Sequence, residues 1–372
     1  MLTSVGLLCV VNFMANPNTP LLFMSTRPSS IPMLSFVLLA CTVLVTCGQK
    51  TPDPAPVAPS LPKGPTTWLT GDAADVTKAT TPGLVLTGGG TDVDEAMRWL
   101  LKKSGGGDVV VLRASGSSGY NSYLFSELGE AVNSVETILL NSREWVNDEA
   151  TVQKIRNAEA LFIAGGDQAD YVNYWKGSKV AEAINYLINT KKVPVGGTSA
   201  GCAILGQLYY PALNQSLTAA EGLSDPYHPN LMLGRNDFIN APFLGNTITD
   251  THFAERSRQG RLVAFLARIR TDWNVTGRGI GVSEKTAVCI DHTGMAAVFG
   301  SGKAYFVIPA ATTNPEQCTL GKPLTWLANK KALRVDVIQG TTQGTDTYDL
   351  NTWVGSGRSP VTFWYVDRGV LN

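Results

Sequence analysis

The chain has 372 residues, 44% of them hydrophobic and 16% charged, with 30 lysines and arginines against 30 aspartates and glutamates. That apolar fraction excludes intrinsic disorder, and the balanced charge excludes a surface built to neutralise nucleic-acid phosphate. Only three histidines occur, His228, His252 and His292, and no two have zinc-ligand spacing on one helix or turn, so no metal centre is expected.

The first feature in chain order is Met33 to Cys47, an uncharged run of 15 apolar and small residues. It is shorter than the roughly 20 residues that span a bilayer as a helix and suits the core of a signal peptide. Arg27 supplies the basic flank if translation begins at Met24. Leu44-Val45-Thr46-Cys47 resembles a bacterial lipobox, with Cys47 as the lipidated residue. Leu38-Leu39-Ala40-Cys41 satisfies the small-residue rule better, but Cys41 leaves an apolar stub outside the membrane, so Cys47 is preferred. The sequence then turns Pro-rich, an extended tether. The expected organisation is a targeting segment over 1–47, a tether over 48–66, an α/β domain over 67–300 and a β-rich extension over 301–372. Export places Cys289 and Cys318 where disulfides persist, and the two form a candidate pair.

From Pro82 onward, short apolar runs at Leu84–Leu86, Val109–Leu112, Thr137–Leu140, Ala160–Ile163 and Val193–Val195 alternate with segments of helical period. Val93, Ala96, Met97, Leu100 and Leu101 form one stripe, and Val180, Ala183, Ile184, Leu187 and Ile188 repeat its spacing. Buried strands alternating with amphipathic helices predict a mostly parallel, doubly wound sheet with helices on both faces. Ligands then bind at the carboxyl ends of the strands. Gly88-Gly89-Gly90, Gly165-Gly166 and Gly196-Gly197 are each expected to follow a strand there.

The sharpest chemical signal is Gly197-Thr198-Ser199-Ala200-Gly201, which lies between a buried strand and an apolar helical stretch. This is the context of a nucleophile elbow, in which Ser199 sits on a strained turn at a helix N-terminus. The competing reading of Ser199 is a helix N-cap, and Cys202 is a weaker nucleophile candidate. Gly165 and Gly166 end the preceding strand and, with Ala200, can offer backbone N–H groups as an oxyanion hole. Thr87-Gly88-Gly89-Gly90 is a weak nucleotide signal, lacking both the third fingerprint glycine and a P-loop lysine.

Four ordered motifs, F-I-A-G-G-D-Q, G-G-T-S-A-G, T-D-T-H-F-A-E-R-S-R-Q-G-R-L and G-I-G-V-S-E-K-T-A, span roughly Leu84 to Gly300. Together they resemble the family of serine peptidases that contains cyanophycinases and α-aspartyl dipeptidases. The resemblance implies a class I glutamine amidotransferase-like, flavodoxin-like three-layer fold, and cofactor-free cleavage of peptide bonds at aspartyl residues. Carried over by position, it makes Ser199 the nucleophile, His252 the base and Glu284 the acid, with Asp250 the competing acid; His252 follows Ile248-Thr249 and is expected to open a helix. It places Gln168, Asp250, Arg256, Arg258 and Arg261 in the substrate-binding set, where guanidinium groups at the start of a helix can clamp a carboxylate. The chain departs from the cyanophycinase pattern at Thr251, usually glutamine, and at Ser283 and Lys285, usually aspartate and asparagine.

The expected protein is thus an exported, lipid-anchored serine peptidase. Its partners are an aspartyl-containing peptide or polymer and a membrane, with a homodimer left open and no cofactor or nucleic acid called for. The alternatives are a catalytically idle surface binding lipoprotein on the same fold and a serine esterase, whose chain order of serine, acid, histidine would need Asp250 in place of Glu284.

Overall fold

The computed structural model describes residues 64–311, 313–356 and 361–372. The signal-like run, Cys41, Cys47 and most of the tether lie outside the described residues.

Among the described residues two large sheets carry the chain. The first has at its centre five parallel strands, in spatial order Ser134–Leu139 (β4), Asp108–Arg113 (β3), Ala160–Ile163 (β5), Pro194–Thr198 (β6) and Gly83–Thr87 (β2). Thr66–Gly71 (β1) pairs antiparallel with β4 at one side. At the other, Thr286–Asp291 (β11) pairs antiparallel with β2, followed by Met295–Gly300 (β12), Thr347–Asp349 (β15) and Val354–Gly355 (β16).

Alternation along the central strands explains why both faces are covered. Leu84 and Leu86 enter one core with Leu112, Ile163, Tyr171 and Ile184, whereas Val85 enters another with Met97, Leu100, Val111 and Phe162. A strand buried on both faces needs helices on both sides, and the apolar stripes supply them. Helix Asp94–Lys103 buries Ala96, Met97, Leu100 and Leu101, with acidic residues in its first turn and lysines in its last, complementing the helix dipole. Helix Lys179–Tyr186 buries Val180, Ala183 and Ile184 on the opposite side, and its N-cap Ser178 accepts from the Ala181 N–H. The fold is the expected largely parallel α/β architecture.

The second sheet runs Gly234–Arg235 (β8), Leu208–Tyr209 (β7), Thr247–Asp250 (β9), Arg278–Val282 (β10), Lys303–Pro309 (β13), Leu333–Gln339 (β14) and Thr362–Trp364 (β17). Helix Gln259–Trp273 shares a core with it through Leu262, Phe265, Leu266 and Ile269. The strands beyond Gly300 continue both sheets, since β13 pairs with β10 and β15 with β12.

Three local expectations are corrected. Gly196 and Gly197 lie within β6 and do not follow it, because the strand runs on to Thr198. A Cβ on Gly196 would lie 2.9 Å from Leu100 Cδ1, so the residue is small to admit the covering helix. His252 does not open a helix, since the next one begins at Gln259. Cys289 and Cys318 form no disulfide: both are free and buried, in separate cores.

Candidate active site

β6 lies between β5 and β2, so the loops at the carboxyl ends of those neighbours flank the chain where it leaves Thr198. Ser199 comes next, with φ 52° and ψ −116°, and leads into the four-residue helix Ala200–Ala203. A non-glycine residue in that conformation costs about 1–3 kcal/mol, so the surroundings must hold it. They do so by close approach. A Cβ on Gly197 would come within 2.5 Å of the Gly201 carbonyl oxygen, and one on Gly201 within 2.2 Å of the Ile163 carbonyl oxygen. The two glycines of the elbow therefore allow the turn to close against itself and against β5. The Ser199 N–H donates to the Thr87 carbonyl at 3.0 Å, tying the elbow to β2 as well.

The Ser199 hydroxyl makes no capping bond to its helix. It lies 2.7 Å from His252 Nε2. His252 Nδ1 in turn lies 2.6 Å from Glu284 Oε1. A carboxylate only accepts, so Nδ1–H donates to Glu284, and the neutral ring leaves Nε2 to accept from Ser199. Burial pushes the His252 pKa below its usual value, opposed by the hydrogen bond to Glu284 and reinforced by the charges of Arg256 and Arg258. The hydrogen bond with His252 holds Glu284 below the usual carboxylate range. The base is therefore neutral and the acid charged at neutral pH.

His252 follows β9 and Glu284 follows β10, and these strands pair parallel, with Gly281 opposite Asp250. The loop after β2 supports both side chains. The His252 N–H donates to the Gly88 carbonyl at 2.7 Å and the Lys285 N–H to the Gly89 carbonyl at 3.0 Å. A Cβ on Gly89 would lie 2.4 Å from His252 Cε1, and one on Gly90 3.1 Å from Glu284 Oε2. Sequence reasoning missed the function of this glycine run. Its signal is visible as three consecutive glycines, but the partners that demand them come from distant strands. Glu255 was also missed: its carboxylate accepts from the Glu284 N–H at 2.9 Å. Beside Gly90 a recess of about 380 Å³ is lined by Asp92, Asp94, Tyr120 and Tyr123.

Gly165 adjoins the nucleophile, since a Cβ there would lie 3.5 Å from that of Ser199. Among the described residues, the N–H groups of Gly165 and Gly166 donate to no protein backbone acceptor. Gln168 is the first residue of helix Gln168–Trp175 and half-buried.

The arginines divide. Arg256 is exposed, and its charge reaches His252. Arg258 donates to the Thr251 carbonyl at 2.8 Å, and its burial pushes the guanidinium pKa down to about 10. Arg261 is corrected: it is buried, donates to Asp250 Oδ2 at 2.8 Å, and reaches Ser216 Oγ at 3.3 Å and the Leu217 carbonyl at 3.2 Å. With its donors taken, it offers no clamp to a substrate. Asp250 is corrected with it, both as substrate ligand and as competing acid, because both its oxygens face Arg261 and it does not bond His252. Cys202 is fully buried and its thiol is pushed strongly up by burial, which removes it as a nucleophile. His228 lies in a loop, where its Nδ1 accepts from the Asn230 N–H, and His292 is exposed. Among the described residues no cluster of His, Cys, Asp or Glu has the geometry to hold a metal ion.

The sequence profile of Peptidase family S51 matches residues 84–297. The cyanophycinase of Nostoc sp. is 25% identical over 204 residues, covering 54% of this chain and 62% of that protein. The cyanophycinase of Synechococcus elongatus is 24% identical over 203 residues, covering 54% of this chain and 58% of that one. The chain thus spans about three fifths of the length of the curated relatives it matches. A peptidase from an acI-B1 Actinobacterium is similar in structure at 16% identity, with a TM-score of 0.44, over 65% of this chain and 96% of that one. The matched segment is more than half of the chain and contains Ser199, His252 and Glu284, and the chain belongs to peptidase family S51, a family of peptide-bond hydrolases.

Proposed function

We propose that the protein is an exported serine peptidase that cleaves peptide bonds at aspartyl residues, with Ser199 as nucleophile, His252 as general base and Glu284 as the acid that orients it. The observation that carries this reading is the continuous hydrogen-bonded line from Ser199 Oγ through His252 to Glu284, at 2.7 and 2.6 Å. As Ser199 Oγ attacks the scissile carbonyl carbon, Nε2 takes its proton and Glu284 stabilises the imidazolium. The oxyanion is received by the N–H groups of Gly165, Gly166 and Ala200. His252 then returns the proton to the departing amine nitrogen, the C–N bond breaks, and an acyl-serine remains. Water, deprotonated by the same imidazole, releases the acid and restores Ser199.

Arg256 and Arg258, with Gln168, are the groups proposed to receive the aspartyl carboxylate, because Arg256 alone of the three arginines is exposed and Arg258 keeps donors beyond its bond to Thr251. The aspartyl preference also draws on the cyanophycinase relatives. The test is turnover of cyanophycin and of a panel of α- and β-aspartyl dipeptides by the wild type and Ser199→Ala. Loss of all turnover in a folded Ser199→Ala supports the reading, and retained turnover sinks the serine mechanism.

Export and lipid anchoring at Cys47 are part of the same proposal, supported by the apolar run that ends there and the Pro-rich tether after it. Cys47→Ala is expected to release the protein from the membrane fraction; release by Cys41→Ala alone would move the anchor.

A further inference from the structure

The hydroxyl of Tyr171 makes contacts that the triad does not explain. Tyr171 lies in helix Gln168–Trp175, is completely buried, and stacks on Trp175 with ring centroids 4.3 Å apart. Its hydroxyl reaches two consecutive backbone carbonyls, Ala164 at 2.7 Å and Gly165 at 3.0 Å. Burial pushes the phenol pKa up, so the oxygen keeps its proton and donates.

Those two carbonyls belong to the peptide units whose N–H groups are those of Gly165 and Gly166. A trans peptide is planar, with its C=O and N–H on opposite sides, and no cis peptide bond occurs among the described residues. Holding both oxygens toward Tyr171 therefore turns both N–H groups away from it. Glycine peptides flip more readily than others because no Cβ opposes the rotation. A donor fixed by a rigid aromatic ring on a helix removes that freedom at the two peptides that flank Gly165, where a Cβ would lie 3.5 Å from that of Ser199. Trp175 steadies the ring in turn, since its Nε1 donates to the Leu140 carbonyl at 2.9 Å.

We propose that Tyr171 is a positioning residue for catalysis, which sets the aim of the Gly165 and Gly166 N–H groups toward the oxyanion that forms beside Ser199. The inference rests on the serine-peptidase reading of this site. An interaction that orients oxyanion donors acts on the transition state more than on bound substrate, so its loss lowers kcat and leaves KM nearly unchanged. A role confined to folding would lower stability without changing turnover per folded molecule.

The test is Tyr171→Phe, which removes one oxygen and keeps the ring. It is assayed below its melting temperature on the aspartyl dipeptide that the wild type cleaves fastest. Deleting an oxyanion donor outright costs about 100- to 1000-fold, so a misaimed pair is expected to lower kcat roughly 10- to 100-fold. KM and the pH profile set by His252 stay as they are. A second readout is inhibition by an aspartyl boronic acid, whose tetrahedral anionic adduct with the serine occupies the oxyanion site, against inhibition by aspartate. The boronate affinity is expected to fall in parallel with kcat/KM while the aspartate affinity holds. Wild-type kcat per folded enzyme, or an unchanged ratio of the two affinities, overturns the proposal. If Tyr171→Phe does not fold, Gly166→Ala takes its place, because the added Cβ would lie 3.1 Å from the Tyr171 hydroxyl and press on the same contact. Turnover by Ser199→Ala would remove the site reading and this inference together. An inactive Ser199→Ala beside an unimpaired Tyr171→Phe removes this inference alone.

Discussion

The imidazole of His252 is seated against the Cα of Gly89, so closely that a Cβ there would stand 2.6 Å from the Nε2 that meets Ser199. Gly89 also has φ +95°, a conformation in which L residues are strained by about 1–2 kcal/mol. Gly89→Ala therefore has to move the ring or the loop. Its expected outcome is a loss of kcat/KM of roughly 100-fold or more, on the scale of losing a general base, with a folded protein of lower melting temperature. Wild-type kcat in this variant would show that the glycine does not seat the base.

The pH dependence comes from the neutral state of His252. Burial lowers its pKa from the usual 6.5, so kcat/KM should rise with pH through a midpoint below that value and be level by neutrality. Arg256→Gln removes a charge that lowers the pKa and should move the midpoint up. Glu284→Gln removes the largest influence that raises it, so the midpoint should move down while the maximum rate falls. Stability has the matching sign: below pH 6.5 the unfolded chain takes up the proton first, so this residue's contribution falls as pH drops. A midpoint that shifts the same way in both variants would mean that another group governs the limb.

Arg256 and Arg261 should separate binding from folding. Arg261 and Asp250 have side chains 2% and 3% exposed, and Arg261→Ala would leave the buried carboxylate with Arg258, 3.7 Å away, as its remaining cation. The expected cost is about 3–5 kcal/mol of stability, read by denaturant titration. Arg256→Ala should leave stability within about 0.5 kcal/mol, as surface changes usually do. It should instead narrow the preference for an aspartyl over an asparaginyl substrate, measured as kcat/KM for both substrates with both enzymes. Equal losses on the two substrates would remove Arg256 from the carboxylate site.

The elbow was legible because everything that makes it lies within a few residues. A strand, a turn, a helix start and two glycines in Gly197–Gly201 are local, and so are the apolar periods of helix Asp94–Lys103 and of β2. Local periodicity decides which residues are buried, and the unbroken apolar run of β2 already implies cover on both faces. The doubly wound half of the fold could therefore be read before any contact was known.

The choices left open by the sequence were between residues of equal chemistry. Asp250 ends β9 and Glu284 follows β10, both are carboxylates, and both lie near His252. Only the parallel pairing of β9 with β10, and the side on which Arg261 enters, gives Asp250 to the arginine and Glu284 to the imidazole. Likewise Gly89 and Gly90 acquire their purpose from side chains that arrive from other strands, and Arg261 is taken out of the cleft by a partner eleven residues earlier in the chain. The cysteines fit the same pattern, since a signal-like run suggests a disulfide while the packing puts Cys289 and Cys318 in separate cores. Sequence determined which residues could react and which must be buried, because composition and period act locally. Tertiary structure decided which charges neutralise one another, because an ion pair depends on distance in space, and that distance is set by strand pairings that no local pattern encodes.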